Sequence, residues 1–551
     1  MVSGTKEDAF FPRKLRMGMV GGGRDAFIGG VHRRAAMLDG NVELVAGCFS
    51  STPEKSKASG KDLLVPDNRV YGTYQEMLAA ESKLPEGERI DFVSVVTPNH
   101  MHYPVSKAFV EAGFNVACDK PMVHTVAQAQ ELIAAVKKAD VVFAVTYNYT
   151  GYPMVKQARY LVQSGALGKI QKVLVEYPQG WLLTRTELEG AKQAVWRTDP
   201  ARSGVSGCIG DIGSHCENLV SYVTGLELDS ICADLTIYAQ GRELDDDGNI
   251  LLRFKGGAKG ILTASQICPG QENALSIRVW GTKAGLEWRQ ENPNYLWVRS
   301  NDGPEQIYSR ASGYLCEAAS AAGRLPTGHT EGFFEAFANI YKNFCDTIRA
   351  KKLGIAPTAL QLDFPTVEDG ARGVLFINKA VESSASDIKW LAIYDKPQRR
   401  RRTEGQRLWD TDEHGIARMN RKIRAHLCLS TSPDEIRTQP NTDSLCKERE
   451  IRALPRLSVS QRKGEDHYGA TCDVVYRAVG RSDVGGGGAK GRLVRLRRAG
   501  AGLLGRPFRG GQGPRKRRLY QEPLGHPEQI RLKVLRHQHA PGGPVRVRRP
   551  H

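Results

Sequence analysis

At 551 residues the chain exceeds what one hydrophobic core of ordinary size organises, so two or more domains are expected. The formal charge of +18 is lopsided: residues 394–551 hold 36 Lys+Arg against 16 Asp+Glu, leaving −2 on the 393 residues before them, so the basicity says nothing about partners of the main body. Eleven scattered cysteines without metal-like spacing, a polar opening at Met1–Asp8 and no apolar run near the roughly 18 residues of a membrane span exclude a disulfide scaffold, a zinc site and a membrane anchor, and predict a cytoplasmic protein.

Residues 14–148 alternate β-branched runs with amphipathic stretches. The strands are Met17–Gly21, Val42–Phe49, Phe92–Val96, Asn115–Cys118 and Val141–Thr146, with helices such as Tyr103–Ala112 and Ala127–Lys138 between them. That alternation predicts a doubly wound α/β Rossmann domain with a parallel sheet covered on both faces. The first strand runs into Gly21-Gly22-Gly23, where a pyrophosphate needs close backbone approach and the free amides of the following helix, at Phe27 and Ile28. Gly21 and Gly23 fit the dinucleotide fingerprint, but Gly29 comes three residues later than the pattern demands. The second strand ends at Ser50 and Ser51 without the acid that often binds the ribose hydroxyls, and Lys55 and Lys57 follow, so NAD and NADP both stay open.

Phe92–Val96 leads into Thr97-Pro98-Asn99-His100-Met101-His102. A polar loop at the C-terminal edge of a parallel strand lies where this fold binds ligands, which makes Thr97, Pro98, Asn99 and His102 cofactor candidates; a proline-stiffened turn capping the next helix is the equal alternative. Asn115–Cys118 delivers Asp119-Lys120-Pro121, and the last strand delivers Tyr147-Asn148-Tyr149, with Asn148 a candidate for the cofactor and Tyr149 for the substrate.

Residues 149–393 read as an α+β domain: a helix at Met154–Gln163, then an open, mostly antiparallel sheet carrying helices on one face, including Gly332–Lys351 and Leu360–Glu382. Asp245-Asp246-Asp247-Gly248-Asn249 reads as a hairpin-like connection. Gly210-Asp211-Ile212-Gly213-Ser214-His215 spaces a carboxylate and an imidazole at i and i+4, on one helical face, and glycines 207, 210 and 213 leave room for a ligand. Residues 394–551 carry too little periodic apolar sequence to offset about 1–2 kcal/mol of backbone ordering per residue, so a disordered basic tail is expected. Its blend of Arg, Gly, Pro and His resembles read-through translation, which a stop codon near codon 394 would establish. Without interleaved aromatics it does not read as a nucleic-acid module.

An ammonium (Lys120), a carboxylate (Asp211) and a histidine (His215) are the parts needed to take a proton from an alcohol oxygen while a hydride leaves its carbon. His32, His100 and His124 have no such partnership and read as structural. These residues resemble the glucose–fructose oxidoreductase/inositol dehydrogenase (Gfo/Idh/MocA) family over about residues 14–393. The likeness rests on Asp119-Lys120-Pro121 where the family has Glu-Lys-Pro, on Gly168-Lys169-Ile170, on Trp196-Arg197, and on the Asp211/His215 helix. The resemblance implies that Lys120 contacts the nicotinamide ribose and the substrate oxygen, and that Asp119, a shorter carboxylate than usual, still reaches the nicotinamide edge. Trp196 and Arg197 would close the cofactor pocket. Lys120, Tyr149, Asp211 and His215 would meet the substrate. It further implies an NAD(P)-dependent oxidoreductase acting on a secondary alcohol of a sugar, sugar derivative or cyclitol, and a homo-oligomer formed through the second domain's sheet. Two alternatives stand beside it: glycoside chemistry with a retained cofactor, and a non-catalytic nucleotide sensor.

Overall fold

The computed structural model describes residues 11–394; apart from Tyr394, the basic segment lies outside them. Five parallel strands form the N-terminal sheet: β1 (Leu15–Gly21), β2 (Val42–Cys48), β3 (Phe92–Val96), β4 (Asn115–Cys118) and β5 (Phe143–Val145). Their order is β2-β1-β3-β4-β5. All five residues of β3 are buried, as a strand covered on both faces requires. The order reverses between β1 and β3, which pair with Gly21 opposite Val96, so their C-terminal ends open a crevice at the topological switch point.

Helices His102–Glu111 and Val126–Ala139 cover one face of this sheet through Val105, Phe109, Ala129 and Leu132. Thr125 starts the second of them by accepting the Gln128 amide at 3.2 Å, while the Gln128 side chain caps the Thr125 amide in return. On the other face lie helix Phe27–Met37 and, unexpectedly, helix Phe333–Lys352. The latter was expected on the second sheet, but it buries Phe337, Tyr341, Phe344 and Ile348 among Leu15, Met17, Phe92 and Ala117. The apolar stripe of a helix says that it is covered and not by which sheet.

The second sheet has nine strands: β6 (Ile170–Pro178), β7 (Leu228–Thr236), β8 (Asp247–Phe254), β9 (Lys259–Ser265), β10 (Ser276–Gly281), β11 (Gly285–Arg289), β12 (Tyr295–Arg299), β13 (Gln306–Ser309) and β14 (Trp390–Ala392). Every neighbouring pair is antiparallel except β6 with β9. Helices Pro153–Gln163 and Ser214–Thr224 pack on one face through Val155, Ala158, Leu219 and Val223, against the inward residues Val173, Val175, Ile250 and Leu252. The acidic run 245–249 spans the end of the connection between the antiparallel strands β7 and β8 and the start of β8. Asp247–Asn249 belong to β8, and Asp245 and Asp246 accept backbone amides. The last long helix starts at Val367 rather than 360, behind Pro365 and the cap Thr366. It buries Val374 with the first sheet and Phe376 and Ala380 with the second. Among the described residues no helix is long and apolar enough to cross a membrane.

Candidate active site

One cavity of about 1230 Å³ runs from the glycine loop, past the ends of β1 and β3, to the second sheet. Gly21 and Gly22 both adopt positive φ, at 83° and 72°, and a Cβ on Gly21 would sit 2.7 Å from the Val96 carbonyl oxygen. The late glycine of the fingerprint also has a role: a Cβ on Gly29 would lie 2.3 Å from the Gly22 Cα, so its absence lets the helix pack onto the loop. Of the three extra residues, Arg24–Ala26, Asp25 adopts φ 63°, Arg24 is ion-paired to Asp62, and Arg24 and Ala26 join the cavity lining.

Gly21, Gly23, Phe27, Ile28, Ser50, Ser51, Thr97, Pro98, Asn99, Asp119, Lys120, Asn148, Trp196 and Arg197, all read from the sequence as cofactor residues, line this cavity. His102 does not. It is fully buried, with its ring nitrogens 2.7 Å from the Pro121 carbonyl and 2.9 Å from that of Thr97, so it ties the two loops together from behind. A dinucleotide fits the lining: Thr97 Oγ1 and Asn148 Nδ2 are buried without hydrogen-bond partners, groups that a polar ligand would satisfy.

Lys120 leaves the end of β4 and reaches the helix bearing Asp211. Its Nζ donates to Asp211 Oδ1 at 2.8 Å and to the Asp211 carbonyl. The other carboxylate oxygen accepts from Gln266 Nε2 at 2.9 Å and Arg197 Nε at 3.2 Å. Burial alone would raise the Asp211 carboxyl, but the Arg197 and Lys120 cations outweigh it and hold it well below the usual carboxylate range. Asp211 sits in a π-helical turn, Ile209–Gly213, instead of regular α-helix, and Asp245 fixes that turn by accepting the amides of Gly207 and Ile209, each at 2.9 Å. Two of the glycines read as ligand space have protein neighbours. A Cβ on Gly207 would meet the Asp245 carbonyl at 2.4 Å, and one on Gly213 would meet Ile209 at 2.9 Å.

His215 is the second residue of the following α-helix, Ser214–Thr224, and lines the same cavity. Its ring packs edge-on against Tyr149 (4.8 Å between centroids), Tyr147 and Tyr177, and its buried Nδ1 has no partner. Burial, aided by the Lys120 charge, pushes the imidazole well below its ordinary range, so at neutral pH it is an unprotonated acceptor. Lys120, Tyr149, Asp211 and His215 therefore meet at one place. Of the trio of tyrosine, asparagine and tyrosine after β5, Tyr147 alone is absent from the lining.

Asp119, which lines the cavity, also has protein partners. Its Oδ1 accepts the Lys120 amide at 2.8 Å and the Thr146 hydroxyl at 3.0 Å, while Oδ2 faces His32 Nε2 at 3.8 Å. His32 consequently has a partnership the sequence reading denied it: its Nδ1 lies 2.7 Å from the Tyr341 hydroxyl, itself 2.7 Å from Ser94 Oγ. His100 also departs from its structural reading by lining the cavity, whereas His124 sits beside Gly204 away from it. Residues that sequence reading missed are Gln266, Gln193, Tyr177, Gln179, Asn273 and Gln290. Gln193 holds Arg197 Nη1 at 2.7 Å, and the last four line the wall supplied by the second sheet and its loops. No short motif marks them, because their meeting depends on the register of a long antiparallel sheet.

Two family models match the chain: the oxidoreductase family, NAD-binding Rossmann fold, over residues 15–147, and the GFO/IDH/MocA C-terminal domain over residues 155–287. An uncharacterised oxidoreductase, YfiI, of Bacillus subtilis is 34% identical over 386 residues, covering 69% of this chain and 97% of that protein. A crystal structure of an oxidoreductase from Sinorhizobium meliloti is similar with 44% identity and a TM-score of 0.62, covering 69% of this chain and 99% of that one. An inositol dehydrogenase homolog from Azotobacter vinelandii, complexed with NADH and myo-inositol, is 32% identical with a TM-score of 0.64, over 69% of this chain and 98% of that one.

Proposed function

The chain belongs to the GFO/IDH/MocA family of NAD-binding oxidoreductases, and on that premise we propose that it interconverts a secondary alcohol of a sugar, sugar derivative or cyclitol with the corresponding ketone. The Gly21–Gly23 loop, Ser50, Ser51 and the Thr97–Asn99 loop would hold a nicotinamide dinucleotide, which when bound would supply the hydride acceptor or donor. In the oxidative direction the electron pair of the carbinol C–H leaves as hydride, and the hydroxyl proton goes to the unprotonated His215. Lys120 stands against the reacting oxygen, where its charge favours the developing alkoxide. Asp211 ties the arrangement together: bridging Lys120 to Arg197 and Gln266, it fixes the ammonium at the end of β4 to the π-helical turn that leads into the helix of His215. Asp119 orients the Lys120 backbone, and Trp196 with Arg197 covers the opening.

The observation that carries this reading is that Lys120 and His215, 95 positions apart in sequence, line one cavity, with Lys120 paired to Asp211 four residues before His215. Support for the substrate class comes from the myo-inositol bound to the Azotobacter homolog. A panel of aldoses, inositols and anhydrosugars, offered with NAD and with NADP, tests it by the absorbance of released reduced nicotinamide. Turnover with at least one polyol is expected, lost in Lys120→Ala and in His215→Ala. Near-normal activity in either variant overturns the mechanism, and turnover without free reduced nicotinamide points to a retained cofactor. A homo-oligomer formed through the second sheet belongs to the same reading, and light scattering tests it.

A further inference from the structure

On the cavity wall supplied by the second sheet, the side-chain hydrogen bonds among Tyr149, Tyr177, Asn273 and Gln179 join uncharged groups, and the ionised neighbour, Glu291, which accepts the Asn273 backbone amide at 2.9 Å, is an anion. Tyr177 donates its hydroxyl proton to Asn273 Oδ1 at 2.6 Å, and Asn273 Nδ2 donates to the Tyr149 oxygen at 3.3 Å. The two phenols are themselves hydrogen-bonded. Since Tyr177 has only one proton and gives it to Asn273, Tyr149 must donate to Tyr177, which closes a ring of three donors and three acceptors. Gln179 Nε2 adds a second donor to Asn273 Oδ1 at 2.8 Å, and its own carbonyl takes the Trp181 indole proton at 3.1 Å.

The two phenols are 4% and 3% exposed, and burial pushes the Tyr149 hydroxyl up to about 12 and that of Tyr177 well above its ordinary value, so both remain uncharged. After the ring is closed each phenol oxygen keeps an unused lone pair, and the two carboxamides each keep one N–H. A hydroxyl group, which both donates and accepts, matches that mixture; a carboxylate or phosphate, which only accepts, meets the phenol lone pairs head-on. Gln290, on the same wall, adds a carbonyl oxygen buried without a donor. The cations nearest the reacting centre, Lys120 and Arg197, both face Asp211, and their charge is directed at the reacting oxygen, not at this wall.

We propose that Tyr149, Tyr177, Asn273 and Gln179 form a neutral selectivity wall that takes a ring bearing several free hydroxyls and rejects the same ring carrying a carboxylate or phosphate. This deepens the proposed function and rests on it. The test uses the full-length protein with bound cofactor and compares glucose and myo-inositol with glucuronate, glucose 6-phosphate and an inositol monophosphate. Expected is a kcat/KM for the better neutral ring at least about 100-fold above its anionic counterpart. Tyr177→Phe should raise KM for the neutral ring about tenfold with kcat within about threefold. Gln179→Lys, which brings a cation to the wall, should move the neutral-to-anionic ratio about tenfold towards the anion while leaving NADH affinity unchanged. Equal or better turnover of the anionic rings by the unaltered protein, or a ratio unmoved in Gln179→Lys, overturns the proposal. Should no ring here or in the wider polyol panel be turned over with either nicotinamide, the dehydrogenase reading falls. Calorimetric binding of myo-inositol against its monophosphate to the NADH-loaded protein then judges the wall by itself: tighter binding of the phosphate overturns it, and tighter binding of the neutral ring upholds it.

Discussion

Replacing Asp211 by asparagine preserves shape and removes one charge, so it isolates what the carboxylate does. Lys120 and Asp211 side chains are each 14% exposed and Arg197 is 22% exposed, which makes this a largely desolvated cluster. The carboxylate accepts three side-chain donors at 2.8, 2.9 and 3.2 Å, two of them cationic. A hydrogen bond to a charged group contributes about 1.5–3 kcal/mol, and asparagine can still accept through one oxygen while turning an amide towards a cationic donor. The net loss of stability is therefore expected at about 2–4 kcal/mol, with kcat/KM down about 10²–10³-fold because the ammonium is no longer held at the reacting oxygen. The folded Asp211 carboxyl lies below its unfolded value of about 3.9, so its stabilisation is fully present above that pH and is lost only as pH falls through the folded value. Urea denaturation should thus give a constant difference between the two proteins from about pH 5 to pH 8. A difference that shrinks inside that window, or an asparagine variant with kcat/KM within about threefold of the parent, refutes the reasoning.

His215→Ala should lower kcat about 10²–10⁴-fold with nucleotide affinity retained, and the acid limb of the parent's kcat/KM profile should fall below about pH 6.5, since burial and Lys120 depress the imidazole; a limb above that value contradicts its role as base. Gly29→Ala drives a Cβ into Gly22, and about 1–3 kcal/mol of overpacking should appear as weakened dinucleotide binding, measured by quenching of protein fluorescence. Tyr341→Phe removes two buried hydrogen bonds, to His32 and Ser94, and should cost about 1–3 kcal/mol in denaturant unfolding; an unchanged midpoint would mean that the chain from Ser94 to Asp119 holds nothing.

What could be read from the residues and what could not divides along a physical line. The boundaries of β3 and β4 coincide with those expected, and the glycine loop, Lys120, Asp211 and His215 were identifiable because each sits beside a strand end or helix start whose local chemistry is distinctive. His102 misled because a histidine in a ligand-edge loop looks the same whether its ring points to the cavity or, as here, to the carbonyls of Pro121 and Thr97 behind it. Asp245 looked like turn chemistry, yet its side chain caps the amides of Gly207 and Ile209 some 36 to 38 positions earlier. Tyr177, Gln179 and Asn273 had no local mark at all. Tyr177 faces inward only because β6 pairs with β9 and β10 in one register, and a shift of one residue would turn it to the opposite face.

The placement of helix Phe333–Lys352 matters for the chemistry as well as for the fold. The chain completes most of the second sheet and then returns to cover the first, burying Tyr341 and Phe344 beneath β3. Its first turns carry Phe333 and Phe337 to the cavity lining, and Phe333 touches Tyr149, which packs on His215. The same helix, through Tyr341, holds His32 against Asp119, whose carboxylate caps the Lys120 amide. One element thus bears on both groups of the proposed chemistry, the imidazole that takes the proton and the ammonium that faces the reacting oxygen. Two lobes joined only at a hinge would leave the distance between these groups to fluctuate by more than the ~0.5 Å that a productive site tolerates. The shared core formed by this returning helix, together with the Lys120–Asp211 pair, provides a physical reason for the two groups to stay in register without a bound ligand.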